Sequence, residues 1–261
     1  MYFYKKSKVA VIVAARMKST RLPKKALLPI GGLASIERCL LQCMALSDID
    51  RTILATSDLD EDQVLSKHLL GGQVDFWVGD ADDVISRYIG ACEKYNLDAV
   101  VRITGDCPLI LPELLDYMLH RHMEAEADFS SALFAPVGSV GEIINTSALK
   151  KVKSHFGKAE LSEYMSWYFL NNPEYFKNNV VEMPVEWRRH YRLTLDYQED
   201  LDMFRELYRQ LGNETRAYGA QEVFNVLDSS PSITSINEHL SLKYESDRDL
   251  IDLLNIKTKI K

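Results

Sequence analysis

Short apolar, β-branched runs alternate with longer amphipathic segments over the first half of the chain, and this alternation limits the fold more than any other feature. Val9 to Ala14 (VAVIVA), Thr52 to Thr56 and Val74 to Val78 read as strands. Ala99 to Ile103 is so nearly apolar throughout that it suits a central strand buried on both faces. Between these runs the period becomes helical. Ser35 to Leu46 places Ile36, Leu40, Cys43 and Met44 on one face, and Glu61 to Leu70 is a second helix. Asp82 to Tyr95 is a third, with Asp82 or Asp83 as its cap, and Pro112 opens a fourth that runs to about Met123. This βαβαβα rhythm predicts an α/β fold with a mixed, mainly parallel sheet and helices on both faces.

The second half is less regular. Ala127 to Leu133, Gly141 to Ile144, Val180 to Val185 and Tyr191 to Leu195 read as strands, with helices at Glu160 to Leu170 and Glu199 to Leu211. No internal repeat or low-complexity linker interrupts the 261 residues, a length that can bury one substantial core. One domain is expected over residues 1–240, followed by a charge-rich helical tail over 241–261.

Charge is unevenly placed. Lys5, Lys6, Lys8, Arg16, Lys18, Arg21, Lys24 and Lys25 all precede the first acidic residue, Glu37, in a chain of net charge -7. The acidic balance argues against a general nucleic-acid binder, which needs a broad basic face. A compact cationic spot on an acidic body fits a small anionic ligand better. Cys39, Cys43, Cys92 and Cys107 lack paired CxxC spacing, so buried free thiols in a reducing cytoplasm are expected rather than a metal site. The start of the chain has apolar residues for only one strand, and no stretch is long enough to span a membrane, so no signal peptide and no membrane association are expected.

Four segments could carry chemistry. The first is ARMKSTRLPKKAL, which leaves the strand Val9 to Ala14 at its carboxyl end, where ligands sit in parallel α/β sheets. Arg16, Arg21 and Lys25 offer charged donors to phosphate oxygens, and Ser19 and Thr20 add neutral ones. There is no GxxxxGK[ST] and no GxGxxG, which excludes a Walker loop and disfavours a dinucleotide fold. A solvated basic loop is the simpler reading of any charge run; the strand-end position and the stiffening Pro23 favour a ligand. Ala14 and Ala15, where the loop begins, belong to the same candidate nucleotide cradle.

The second segment is RITGDCPLI, which delivers Asp106, just after Thr104, from an apolar strand into a turn. One carboxylate at such a strand end can hold Mg²⁺ together with substrate phosphates, although a turn-forming Asp is common. The third is YRLTLDYQEDLD, where Asp196 ends another apolar run. Taken singly, Asp196 is a helix cap. Taken with Asp106 and the basic loop, it is a second metal carboxylate in a site suited to nucleotidyl transfer. The fourth is VGDADDVISRY. Arg87 lies one helical turn from Asp83, a spacing that suits a surface ion pair, while Asp80 and the pair Ser57 and Asp58 sit at other strand ends, where they could line a base or sugar pocket.

These motifs, in this order, resemble the cytidylyltransferase family that includes the CMP-Kdo and CMP-sialic acid synthetases, and within it the spore coat polysaccharide (SpsF) branch. ARMKSTRLPKK is similar to ARMGSTRLPGK, DDVISRY to DDVLDRY and LTLDYQEDL to LTLDYPEDL, and RITGDCPLI matches throughout. The likeness runs from about Val9 to Asn237. It implies a nucleotide-diphospho-sugar transferase fold with a small β portion used for dimerisation. It implies a cytoplasmic, Mg²⁺-dependent homodimer that makes a CMP-sugar and pyrophosphate from CTP and an acidic or modified sugar, for surface polysaccharide or glycan synthesis. On that pattern Arg16, Arg21 and Lys25 hold the triphosphate, Asp106 completes the catalytic set, and Asp106 and Asp196 bind Mg²⁺. Thr104, Ser57, Asp58, Asp80 and Arg87 join the nucleotide-binding set. The chain departs from the branch at Lys18 and Lys24, where Gly is usual, and from Phe134 to Ala148, where a PxGLDVEVF stretch normally reaches toward the sugar. Two other readings stay open: the same fold with another nucleotide or an alditol phosphate acceptor, and a nucleotide-binding subunit without turnover.

Overall fold

The computed structural model describes residues 7–242 and 247–260. Its main sheet holds β1 (Val9–Ala14), β4 (Arg51–Ser57), β5 (Asp75–Gly79), β6 (Ala99–Thr104), β7 (Phe129–Leu133), β8 (Glu142–Asn145) and β9 (Asn178–Glu182). The spatial order is β5-β4-β1-β6-β8-β7-β9, with β8 antiparallel to both of its neighbours and every other pair parallel. β2 (Pro29–Ile30) and β3 (Leu33–Ala34) make a separate small antiparallel sheet. The α/β class and the mixed, mainly parallel sheet read from the sequence are therefore present.

Alternate residues of β1 feed two cores. Val9, Val11 and Val13 pack with α1 (Ser35–Met44), α3 (Pro112–Glu124), α6 (Gln198–Gln210) and α7 (Ala220–Ser229). Ala10 and Ile12 face α2 (Val84–Tyr95), α4 (Thr146–Phe156) and α5 (Ser166–Leu170). Each fully buried Val or Ile contributes about 1.5–3 kcal/mol, so a strand apolar on both faces is held between two helical layers. Asp83 caps α2 by accepting from the Ser86 N–H at 2.9 Å, as the sequence predicts. Cys39, Cys43, Cys92 and Cys107 are buried free thiols. Among the described residues no helix is long and apolar enough to cross a membrane. The predicted tail helix is present at Arg248–Lys257, and Asn172 ties its end to the body through Thr258 and Ile260.

Three expectations need correction, and one helix was not foreseen. Glu61 to Leu70 is not an α-helix but a 3-10 segment, Asp60–Lys67. Asp62 turns inward there to accept from the Ser57 hydroxyl and the Met17 N–H, and such local bonds compete with a regular helix. Glu160 to Leu170 is broken. Leu161 adopts a left-handed backbone (φ 58°), a 3-10 turn covers Ser162–Tyr164, and only α5 is α-helical. Tyr191 to Leu195 is extended but forms no strand, because its backbone bonds go to two different segments. Leu193 N–H donates to Val137 at 2.6 Å and Leu195 N–H to Asp106 at 2.7 Å. Asp196 therefore does not end a strand. Gly138 permits the crossing: it has φ +81°, and a Cβ there would stand 2.3 Å from the Leu193 carbonyl oxygen. Finally, α4 follows the predicted strand at 141–144 without having been foreseen.

Lys24 precedes a 3-10 turn, Lys25–Leu27, in the left-handed region (φ 55°, ψ 28°), a conformation that costs a side-chain-bearing residue about 1–2 kcal/mol. Lys18, the other lysine where the related loops carry Gly, has no positive φ. Lys24→Gly is expected to relieve this strain by more than the added unfolded-state entropy removes, raising stability by up to about 1 kcal/mol, or about 2–4 °C in Tm. A lowered Tm on thermal melting would contradict that account of the loop.

Candidate active site

β1 and β6 are neighbours, with Ala14 opposite Thr104, so the basic loop and the Asp106 turn leave the sheet side by side. Gly105 N–H donates to the Ala14 carbonyl at 2.8 Å. A Cβ on Gly105 would lie 2.6 Å from the Ala15 Cβ, so the close approach requires glycine. The loop then folds back over this turn, fixed by the Ser35 hydroxyl donating to the Lys25 carbonyl at 2.7 Å. Lys25 Nζ donates to Asp106 Oδ2 and to Asp196 Oδ1, both at 2.8 Å. Arg21 Nη2 donates to the same Asp196 Oδ1 at 2.7 Å, and its guanidinium lies 5.2 Å from the centre of the Tyr197 ring. One ammonium thus joins two carboxylates that are 90 residues apart in the chain.

Asp196 is held from behind by groups that sequence reasoning did not single out. Arg192 Nε donates to Asp200 Oδ1 at 2.8 Å, and its Nη2 reaches Asp200 Oδ2 at 3.1 Å and Asp196 Oδ2 at 3.3 Å. Asp200 Oδ2 also accepts from the backbone N–H groups of Asp196 (2.8 Å) and Tyr197 (3.0 Å), which fixes the peptide that carries the functional carboxylate. Asn237 completes the network by donating to Asp200 Oδ1 at 2.9 Å and to the Arg192 carbonyl at 3.0 Å. The legible signal was an acidic residue in the third position of a helix, which commonly caps the N–H groups before it. Asp62 plays a similar part for the basic loop through Met17 N–H (2.5 Å).

The family profile described as Cytidylyltransferase matches residues 10–225. The chain belongs to the cytidylyltransferase family. It is 30% identical over 236 residues to the spore coat polysaccharide biosynthesis protein SpsF of Bacillus subtilis, covering 88% of this chain and 98% of that one. A 3-deoxy-manno-octulosonate cytidylyltransferase of Psychromonas ingrahamii is 33% identical over 182 residues, 68% of this chain and 69% of the relative. Among solved structures, a cytidylyltransferase from Leptospira borgpetersenii superposes with a TM-score of 0.77 at 28% identity, covering 90% of this chain and 99% of the other. The enzyme is therefore a nucleotidyltransferase of this fold.

The remaining candidates of this cytidylyltransferase are spread around the cluster. Arg16 pairs with Glu163 at 2.7 Å rather than with Asp106 or Asp196. Ser19 Oγ accepts weakly from Leu22 N–H at 3.4 Å, and Thr20 is exposed beside it. Ala14 and Ala15 lie where the loop begins, and Thr104 Oγ1 sits 3.5 Å from the Cys107 sulfur. Ser57 is buried, its hydroxyl bound to Asp62, while Asp58 is exposed. Asp80 is exposed and accepts from Asp82 and Asp83 N–H, both at 2.8 Å, and these bonds hold its carboxyl below the usual range. Arg87 is buried and donates to the Asp80 and Ala81 carbonyls, so the surface ion pair with Asp83 does not form. Asp83 is paired instead with Lys153 at 2.7 Å.

Electrostatics in the cluster follow from its pairing. Burial pushes the Asp106 carboxyl up, but the charge and hydrogen bond of Lys25 outweigh it and hold the group below its ordinary 3.8. Burial pulls Lys25 down, and the charges of Asp106 and Asp196 outweigh that, holding it above 10.5. A depressed Asp pKa gives stability that is present above the unfolded value and lost as pH falls through the folded one. A raised Lys pKa gives stability that is present below the unfolded value and lost as pH rises through the folded one. The stability difference between the wild type and Asp106→Asn, read by urea unfolding, should therefore be constant between about pH 5 and 9 and shrink below pH 4. Asp200→Ala leaves Arg192 buried without its main partner and should cost about 3–5 kcal/mol in the same assay; a loss under 1 kcal/mol would remove the network from this role.

Proposed function

We propose that the protein catalyses an Mg²⁺-dependent transfer of CMP from CTP to an acidic or otherwise modified sugar, releasing pyrophosphate, for surface polysaccharide or glycan synthesis. The observation that carries this reading is the Lys25 ammonium held between Asp106 and Asp196 beside Arg21. Two carboxylates that converge on one cation are the hard oxygen donors Mg²⁺ takes when phosphates complete its shell. Asp106 Oδ1 accepts from the Cys107 thiol at 3.6 Å, a long bond that an incoming ion could replace. The residues therefore fit the metal, and Asp106 and Asp196 would hold it. When bound, Mg²⁺ neutralises charge on the triphosphate oxygens.

In this reading the chain's own groups exchange partners. Arg21 and Lys25 turn from carboxylates to phosphate oxygens, as charge-assisted donors that stabilise the charge gathering on the leaving pyrophosphate. A sugar hydroxyl oxygen attacks the α-phosphorus in line and gives up its proton to water, while the bond from the α-phosphorus to the bridging oxygen breaks and pyrophosphate leaves with the electron pair. The rigid ends of β1 and β6 supply positioning, from which much of the acceleration in such reactions comes. The relatives named for spore coat polysaccharide biosynthesis and for a 3-deoxy-manno-octulosonate cytidylyltransferase support the nucleotide and the acceptor class. Edge strand β9 offers a surface for the homodimer, because Val180 and Val185 are exposed beside Leu133 and Phe134. Val180→Lys is expected to convert a dimer to a monomer by sedimentation; a sedimentation pattern unchanged by the substitution would remove β9 from the contact.

Incubation with CTP, Mg²⁺ and a panel of sugars should release pyrophosphate with at least one acceptor. Asp106→Asn and Asp196→Asn should each abolish that release while the circular dichroism spectrum is retained. Activity unchanged in either variant removes that residue from the site. Arg21→Ala should weaken CTP binding by about 1.5–3 kcal/mol, the scale of a charged hydrogen bond. An unaltered affinity in calorimetry would sink its assignment.

A further inference from the structure

A cleft of about 290 Å³ is lined among others by Arg16, Asp82, Lys158, Ser162 and Glu163. Arg16 is the outermost of the loop cations assigned to the triphosphate, and its guanidinium is paired with the Glu163 carboxylate at 2.7 Å. Lys25 and Arg21 are also neutralised by carboxylates, but Asp106 and Asp196 have a metal ion to turn to when phosphates arrive. Glu163 has none. We propose that Glu163 is a built-in competitor of the triphosphate: it holds Arg16 and must release it for the nucleotide to bind, so that it sets nucleotide affinity. This inference rests on the cytidylyl-transfer reading above.

The surroundings make the release a movement of one side chain. The Glu163 carbonyl accepts from Arg102 Nη2 at 2.8 Å, and Arg102 is buried and paired with Glu142 at 2.7 Å. Glu142 also accepts from the Ser166 hydroxyl at 2.6 Å, just beyond the turn. On the other side of the turn, Lys257 of the C-terminal helix pairs with Glu160 at 2.8 Å. The backbone is thus pinned at both ends, while the Glu163 carboxylate is about half exposed. Arg87 lies close enough for the like charge of Arg16 to act on it. Burial pulls its pKa down most, Tyr88 opposes this, and Arg16 lowers it further.

The test is calorimetric titration of the full chain with CTP and Mg²⁺. Glu163→Gln keeps the shape and removes the charge, and it should tighten CTP about two- to fivefold, the range of an exposed ion pair. In an Arg16→Ala background the same substitution should change nothing, because no cation remains to be released. Cytidine, which lacks phosphates, should bind the wild type and Glu163→Gln equally. Equal CTP affinity in Glu163→Gln and wild type overturns the competition, as does a gain that persists without Arg16 or that extends to cytidine. A wild-type chain that binds no CTP at all overturns the nucleotide reading itself, which separates the two failures.

Discussion

One ammonium group organises the functional half of this molecule. Lys25 reaches back across the ends of β1 and β6 to join Asp106 to Asp196, and most of the surrounding architecture serves that contact. Gly105 lets the two turns touch, and the Ser35 hydroxyl fixes the peptide of Lys25. Arg192, Asp200 and Asn237 hold Asp196 from below. Two carboxylates this close would repel, and burial would drive a proton onto one of them, if no cation stood between them. The cluster is therefore folded as a neutralised set, with each charge desolvated only as far as its partners compensate.

That neutrality constrains what can bind. A free anion would have to strip cations from Asp106 and Asp196 and leave two carboxylates facing each other. A free metal ion would have to displace Lys25 and Arg21 and leave them without counter-ions. On the proposed function, a divalent cation and a polyphosphate arriving together would satisfy both halves, the carboxylates taking the metal and the cations the phosphates. On that reading a metal–nucleotide complex suits the site better than either component alone.

The regular parts of the fold were legible because their signals are local. VAVIVA and AVVRI announce doubly buried strands, and the Asp83 cap of α2 follows from residue type and position. The convergence of Asp106, Asp196, Arg21 and Lys25 was legible only as a spatial expectation drawn from three motifs, and the structure brings those four residues together. What escaped the sequence is tertiary. Tyr191 to Leu195 carries a strand pattern but divides its bonds between Val137 and Asp106, and no local period encodes that division. Glu160 to Leu170 has a helical pattern that Leu161 interrupts with a left-handed backbone under a cleft. Asp62 was not singled out in the sequence, yet its carboxylate accepts from the Met17 N–H of the basic loop. Arg16 was grouped with Arg21 and Lys25 by their common loop and by the family resemblance, whereas its partner, Glu163, comes from the segment whose helix was misread.

The three loop cations also differ in how deeply they sit, and depth sets what each can contribute. Side-chain exposure falls from 43% at Arg16 to 35% at Arg21 and 16% at Lys25. Coulomb energy at a given distance grows as water is excluded, and screening by salt weakens in the same direction. On the proposed function, the rim charge of Arg16 would act mainly on approach, whereas Lys25 would act where charge is stabilised with little solvent reorganisation. The stretch from Arg16 to Lys25 would in this way both gather a polyanion from solution and hold it at the more buried end of the loop, because Arg16, Arg21 and Lys25 are successively less exposed.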